Sequence, residues 1–123
     1  MLGNEARACS AVQALNTASL SAGANNGNWL AVSDYEGDLL FVISQGATTG
    51  NVVVKVTDAT DGSGTGAGDV TGATTTTLST ANTSAKLIVP ASKCRSHVRV
   101  IATVTTGPVV VGVTLVARPK TTA

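Results

Sequence analysis

Aromatic residues are almost absent from this chain. Trp29, Tyr35 and Phe41 are the whole supply, and all three fall within thirteen positions of the 123. That scarcity leaves no platform of stacking rings such as a sugar-binding or single-stranded nucleic-acid-binding face uses. Charge is equally thin: 12% of residues are Asp, Glu, Lys or Arg, and the net charge is +1. A nearly neutral chain has no electrostatic footprint for DNA or RNA, so direct nucleic-acid binding is not expected. No apolar run approaches the ~20 residues of a membrane-spanning helix, and no membrane partner is expected. The first residues, Met1 to Glu5, show neither a basic stretch nor a long apolar core, so secretion by a signal peptide is not expected either. Without that route the sequon Asn82-Thr83-Ser84 carries no meaning as a glycosylation site.

Catalytic residue types are just as rare. The single histidine, His97, follows Ser96 and opens a valine-rich run. One histidine makes neither a nucleophile–base–orienter set nor a zinc site of three or four ligands, and a solvent-facing strand residue is the favoured account. Cys9 and Cys94 match no CxxC spacing. Two thiols in a reducing compartment are the favoured reading, while a disulfide needs the N-terminal segment to fold back on Cys94. No grouping of acid, base and nucleophile converges, so the chain reads as a non-enzyme with no cofactor and no metal.

What the sequence does contain is strand after strand. Val52–Asp58 (VVVKVTD), Val98–Thr105 (VRVIATVT) and Val109–Val116 (VVVGVTLV) are rich in β-branched residues. Val52, Val54 and Val56 share one face, as do Val98, Val100, Ala102 and Val104, and again Val109, Val111, Val113 and Leu115. Leu39, Phe41 and Ile43 alternate with Leu40 and Val42, which predicts a central strand covered on both faces. Trp29–Ser33 and Lys86–Val89 add shorter strands, the second stopped by Pro90. Tyr35-Glu36-Gly37-Asp38 reads as a turn, and Thr106-Gly107-Pro108 as a tight hairpin connection. Asp58–Ala73 reads as a long Gly-rich loop with a short strand near Asp69–Thr71. Seven or eight short strands predict an all-β fold, an antiparallel sandwich or jelly-roll-like barrel over residues 28–120. Residues 121–123 form a tail.

Residues 1–27 have a different texture. Glu5–Leu20 is Ala-rich and predicts a short helical turn around Ala11–Leu15, followed by a flexible link at Ser21–Asn28. The whole reads as an N-terminal arm, either frayed in a free monomer or ordered against a neighbour.

Three loop motifs carry a chemical reading beside a plain one. Asp58-Ala-Thr-Asp61-Gly-Ser-Gly clusters oxygens as calcium loops do, but the ligand spacing is wrong and no Glu closes it, so an Asx/Gly turn is favoured. Gly62-Ser-Gly-Thr-Gly-Ala67 fits a relaxed dinucleotide fingerprint but precedes β-prone sequence rather than a helix. Asp34, Glu36 and Asp38 read as solvated turn charges rather than a cation site. Charge also separates along the chain: no acid follows Asp69, whereas Lys86, Lys93, Arg95, Arg99, Arg118 and Lys120 do. Either this makes a two-signed docking surface, or the fold lays both signs side by side and cancels them; the second is favoured.

Tyr35–Phe41 (YEGDLLF), Gly50–Val56, Asp61-Gly-Ser, Asp69-Val-Thr-Gly-Ala and the ending Val98–Val104, Gly/Pro turn, last strand and Arg118 resemble small head proteins of tailed bacteriophages, across residues 29–120. The resemblance implies a capsid decoration, or cement, protein made in the host cytoplasm and carried on the outer surface of the virion. It implies the major capsid protein as partner, together with self-association as a dimer or trimer. On that reading the contacting residues are Glu5, Arg7, Leu15 and Leu20 of the arm, Trp29 and Tyr35, and the basic cluster Lys93, Arg95 and Arg99. Other roles in the particle, such as a tail-tube or head–tail joining subunit, stay open, and so does a glycan- or receptor-binding module using Trp29 and Tyr35.

Overall fold

Alternation decides the architecture. A strand with an apolar residue at every second position has one face that must be covered, and two such faces cover each other. The computed structural model describes residues 9–48, 50–75 and 77–119. Its strands are β1 (Ser10–Leu20), β2 (Gly23–Asn26), β3 (Leu30–Ala31), β4 (Tyr35–Thr48), β5 (Val52–Ala59), β6 (Gly68–Thr74), β7 (Thr83–Pro90), β8 (His97–Val104) and β9 (Val109–Pro119). A 3-10 turn, Ala91–Lys93, links β7 to β8.

One sheet runs β1-β9-β4-β7; the other runs β2-β8-β5-β6, with β3 also on β8. These pairings are antiparallel. β2 and β3 follow one another along the same edge of β8, and Gly27 N–H donates to Val100 O between them, so they act as one interrupted strand. Counted so, eight strands among the described residues wind between two four-stranded sheets, and of their consecutive pairs only β5–β6 is a hairpin within one sheet. That path is a jelly roll. The all-β expectation holds.

The core is aliphatic with one ring. Phe41, Leu39, Ile43, Leu115 and the inward valines of β5, β8 and β9 are buried. The predicted inward sets are the observed ones, from Val52/Val54/Val56 through Val109/Val111/Val113/Leu115.

Four local expectations are corrected. The helical turn at Ala11–Leu15 is strand β1, because the edge of β9 offers Ser10–Leu20 a full ladder (Ser10 opposite Ala117, Leu20 opposite Val109) and takes Ala14 and Leu15 into the core. The flexible link at Ser21–Asn28 contains β2 for the same reason, with Asn28 N–H tied to Ala14 O across the sheets. Tyr35–Asp38 is not a turn: it begins β4, and a bulge between Glu36 and Leu40 absorbs the irregularity at Gly37 (φ +73). Finally, Thr106-Gly107-Pro108 does not close a hairpin. It carries the chain from β8 in one sheet to β9 in the other through a cis Gly107–Pro108 bond.

Phe41 fills the centre of the inner face with no other ring to replace it. Phe41→Ala should lower the unfolding free energy by about 3–5 kcal/mol, read as an earlier urea midpoint with an unchanged slope; a loss under ~1 kcal/mol would show that the core collapses around the gap.

Candidate interaction surfaces

The loops that join the sheets at the Tyr35 end are held by one ion pair. Asp58, the single acid of β5, is 8% exposed, and Arg95 arrives from the 91–96 loop to meet it. Arg95 Nη2 donates to Asp58 Oδ1 at 2.9 Å, Nε donates to the same oxygen at 3.3 Å, and the Arg95 backbone N–H reaches Oδ2 at 3.1 Å. The same Nη2 also donates to the carbonyls of Asp58 (3.0 Å) and Gly66 (2.7 Å), which pins the 60–67 loop to the 91–96 loop. Burial works against the carboxylate's charge, but the Arg95 hydrogen bonds and charge outweigh it and hold the Asp58 pKa below its ordinary value.

Inside the 60–67 loop Asp61 is the organiser. Its Oδ1 accepts the N–H groups of Ser63 (2.9 Å) and Thr65 (3.1 Å), and its Oδ2 accepts the Thr65 hydroxyl (2.6 Å). Those bonds favour the ionised form and lower the Asp61 pKa. The favoured Asx-turn reading is therefore the arrangement seen: the oxygens of Asp58 and Asp61 are taken by donors of the chain itself. After Gly62–Ala67 comes strand β6, not a helix, so the dinucleotide reading has no structural support.

Trp29 lies against this loop. Its indole sits where a side chain on Gly64 (φ +84) would have to be, and the Arg99 guanidinium stacks on the ring with 4.5 Å to the centroid. Beside them Ser96 Oγ donates to Thr60 O at 2.7 Å and lies 2.9 Å from His97 Nδ1. A hydroxyl has one proton; once it is given to Thr60, Nδ1 must be the donor, and the ring is no base for Ser96. Half-buried His97 is thus a packed strand residue. Burial, and secondarily the charge of Asp58, push the Cys94 thiol up to about 11, so it stays protonated at neutral pH. Cys9 precedes β1 on one edge strand of its sheet, while Cys94 follows β7, the opposite edge.

Between the β3–β4 turn and the 91–96 loop opens a cleft of about 640 Å³, with Tyr35, Glu36 and Asp38 on one wall and Pro90, Cys94 and Arg95 on the other. Elsewhere charges pair within the fold: Lys55 with Asp69 at 3.3 Å and Arg118 with Glu36 at 3.8 Å, besides Arg95 with Asp58. The two signs that separate along the sequence therefore lie side by side in space.

The residues expected to meet a partner divide into three groups. Trp29, Tyr35, Lys93, Arg95 and Arg99 do gather at this one end, yet Arg95 spends its guanidinium inside the molecule and Trp29 and Arg99 spend theirs on each other. Lys93, on the 3-10 turn, is exposed and lines a shallow depression with Asp58 and Asp69. Leu15 is 6% exposed and belongs to the core, which corrects the arm reading for it; Leu20 is half-buried and packs against that core. Glu5 and Arg7 lie outside the described residues.

A surface the alternation did not announce is the outer face of the β1-β9-β4-β7 sheet. Leu40 and Val42 are half-buried with no second layer over them among the described residues, and neighbouring Ile88 is 52% exposed. Among the described residues β4 is therefore covered on its inner face only, which corrects the expectation of a strand covered on both faces.

No protein-family model and no curated protein sequence matches the chain. Among solved structures it is similar to the SPBc2 prophage-derived protein YomS, at 14% identity and a TM-score of 0.55, over 88% of this chain and 92% of that one. It is also similar to a chain in the structure of infectious bursal disease virus (Gx strain), at 11% identity and a TM-score of 0.54, over 94% of this chain but only 33% of that one. At these identities the likeness is one of fold.

The Asp58–Arg95 pair sets an acid limit. A carboxylate whose folded pKa is lowered contributes stability that is complete above its unfolded pKa of about 4 and is lost as pH falls through the folded value. Asp58→Asn should cost about 2 kcal/mol at pH 7, less than a fully buried pair because the Arg95 side chain is 40% exposed. The gap between wild type and variant should shrink below about pH 4; urea midpoints across that range test it, and a gap that stays constant would mean the pair contributes nothing through its charge.

Proposed function

We propose that this chain is a structural protein of a virus particle, a non-enzymatic decoration subunit that binds the outer surface of a phage capsid and braces the contacts between major capsid subunits. The observation that carries the reading is the jelly roll itself, matched over nearly its whole length by a prophage-derived protein and by part of a chain from a virus. Supporting it, the few polar side chains that could suggest catalysis are committed to holding loops: Asp58 and Asp61 to hydrogen bonds within the chain, Ser96 to Thr60, and Cys94 to its protonated form. A rigid module of this kind adds modest contacts per copy, and repetition over a lattice turns them into avidity.

On this reading the capsid contact is made at the Tyr35 end, through Tyr35, the exposed Lys93 and the Trp29–Arg99 pair, together with Glu5 and Arg7 of the first eight residues. Residues 10–26 are not available as an arm, because β1 and β2 are ladder strands of the two sheets. The arm proposed to reach the shell is therefore residues 1–8 alone.

Two measurements test the proposal. Quantitative mass spectrometry of purified particles should find this chain at a copy number comparable with the major capsid protein; a number matching a tail ring would move it to the tail, and absence would refute a role in the particle. Removing residues 1–8 should leave the thermal transition in place while weakening binding to emptied capsids by about tenfold or more. Unchanged binding would show that the arm plays no part.

A further inference from the structure

Residues 21–28 carry the chain from β1 in one sheet to β8 in the other, and they also hold those two edges together. Gly27 N–H donates to Val100 O at 2.8 Å, and Asn28 N–H donates to Ala14 O at 3.0 Å. Ala14 has this carbonyl to offer because it sits in the bulge between Gln13 and Leu15, where β1 skips a ladder partner on β9. Glycine is needed in the seam because both edges close on it: a β-carbon on Gly27 would run into Ala14 O and crowd Val100. That steric demand has a chemical by-product. It places glycine directly after exposed Asn26, the one Asn-Gly step in the chain.

An asparagine followed by glycine is open to a reaction that needs no enzyme. The Gly27 nitrogen attacks Asn26 Cγ, loses its proton and closes a five-membered imide, while the Cγ–Nδ2 bond breaks and Nδ2 leaves as ammonia. Water then opens the ring. Breaking the bond from Gly27 N to Cγ leaves aspartate on the original backbone. Breaking the bond to the main-chain carbonyl carbon leaves isoaspartate, whose backbone runs through the side chain and is one carbon longer. A bulky or branched following residue shields its nitrogen from this attack, which protects Asn28, Asn51 and Asn82, each placed before Trp29, Val52 or Thr83. Asn25 is held differently, its side-chain amide donating to the carbonyls of Ser21 and Gly23. In the folded chain the Gly27 nitrogen is itself tied to Val100 O, so β2 must lift before it can react. That strand is slight: four residues at the rim of its sheet, all exposed but half-buried Asn25. Edge segments with so little burial open far more readily than the whole molecule unfolds.

We infer that Asn26 is a site of spontaneous deamidation, gated by the lifting of β2 from β8, and that isoaspartate formed there locks the seam open. The gate follows from the hydrogen bond, since the attacking nitrogen must first leave Val100 O. The lock follows from the space. Aspartate keeps the chain length, so β2 can close again. Isoaspartate adds a backbone atom immediately before Gly27 and puts it out of step with Val100 and Ala14, where there is no room even for a β-carbon. Once Gly27 is displaced, Asn28 loses Ala14 O and the two sheet edges part. Asp61-Gly62, the one Asp-Gly step, is the contrast: the N–H groups of Ser63 and Thr65 hold its carboxylate ionised, and an ionised carboxylate has no leaving group for ring closure. The reaction is irreversible, so the fraction of opened seams records the age of the chain. The inference concerns the isolated chain and does not rest on the proposal that it decorates a capsid.

Peptide mapping by mass spectrometry of the purified chain, aged in mildly alkaline buffer, tests it beside hydrogen exchange at the Gly27 amide. Both processes wait for the same event, the release of that N–H from Val100 O. The folded chain should gain aspartate and isoaspartate at Asn26 about tenfold or more slowly than the chain denatured in urea, and the slowing should match the exchange protection of the Gly27 amide to within about threefold. The isoaspartate form, separated from the rest, should have lost protection at the Gly27 and Asn28 amides, whereas Asn26→Asp should keep both. Asn26→Gln, whose ring would need six members, should stay unmodified at that position under the same ageing. Three results would overturn the inference and leave the capsid proposal standing: no product at Asn26 of the folded chain after about a hundred half-times of the denatured one, a deamidation rate that does not follow Gly27 exchange, or an isoaspartate form with both amides still protected.

Discussion

Val98, Val100, Ala102 and Val104 on β8 and Val109, Val111, Val113 and Leu115 on β9 line the inner faces of two different sheets, four residues of chain apart, and the rest of the molecule depends on the layer they form. Small β-branched and aliphatic side chains bring the sheets to the ordinary ~10 Å separation without rings to wedge them apart. Phe41 is the exception, and it occupies β4 beside β9, where the layer is deepest. Once that layer is dry, the short connections at either end have to bridge the sheets, and it is this bridging that places Asp58, Trp29, Tyr35 and Arg95 together. The Asp58–Arg95 pair orders the loops, but it can do so only because the strands beneath already hold the two residues, thirty-seven positions apart, within reach.

The strands carrying that layer were legible from the chain alone, since period-two valine has one structural meaning when turn residues bound it. β1 was not. SAVQALNTASL contains good helix formers and little that prefers a pleat, and it becomes a strand because β9 would otherwise have a bare edge. The pull is tertiary, and no local pattern records it. The same limit explains Thr106-Gly107-Pro108: its residues announce a change of direction but not whether the next strand joins the same sheet or the opposite one.

The candidate sites were legible in a different degree. Trp29, Tyr35 and the run from Lys93 to Arg99 stand out by rarity and by charge, and the fold brings them to one end. Their spatial closeness does not make them equally available: Arg95 is spent on Asp58, and Arg99 on Trp29. The partnership of Asp58 with Arg95 had no sequence signal beyond an acid at the end of a buried run. For Leu40 and Val42 the two-sided apolar pattern pointed to a second layer that the described residues do not supply, because alternation records which side chains are apolar and not what packs on them.

The pairing of β1 with β9 has a consequence for connectivity. Ser10 lies opposite Ala117 on adjacent antiparallel strands, so the start of the first strand and the end of the last are neighbours, as the two arms of a hairpin are. A linker of a few residues would close the backbone into a ring without disturbing either sheet. The ring could then be reopened at the exposed 62–67 turn, whose tasks are to cradle Asp61 and receive Arg95. Strand order in space and strand order along the gene are separable in such a molecule. A circularly permuted chain with the same ladder partners would keep the aliphatic layer while moving the break in the backbone from beside the Ser10–Ala117 pair to the Trp29 loop.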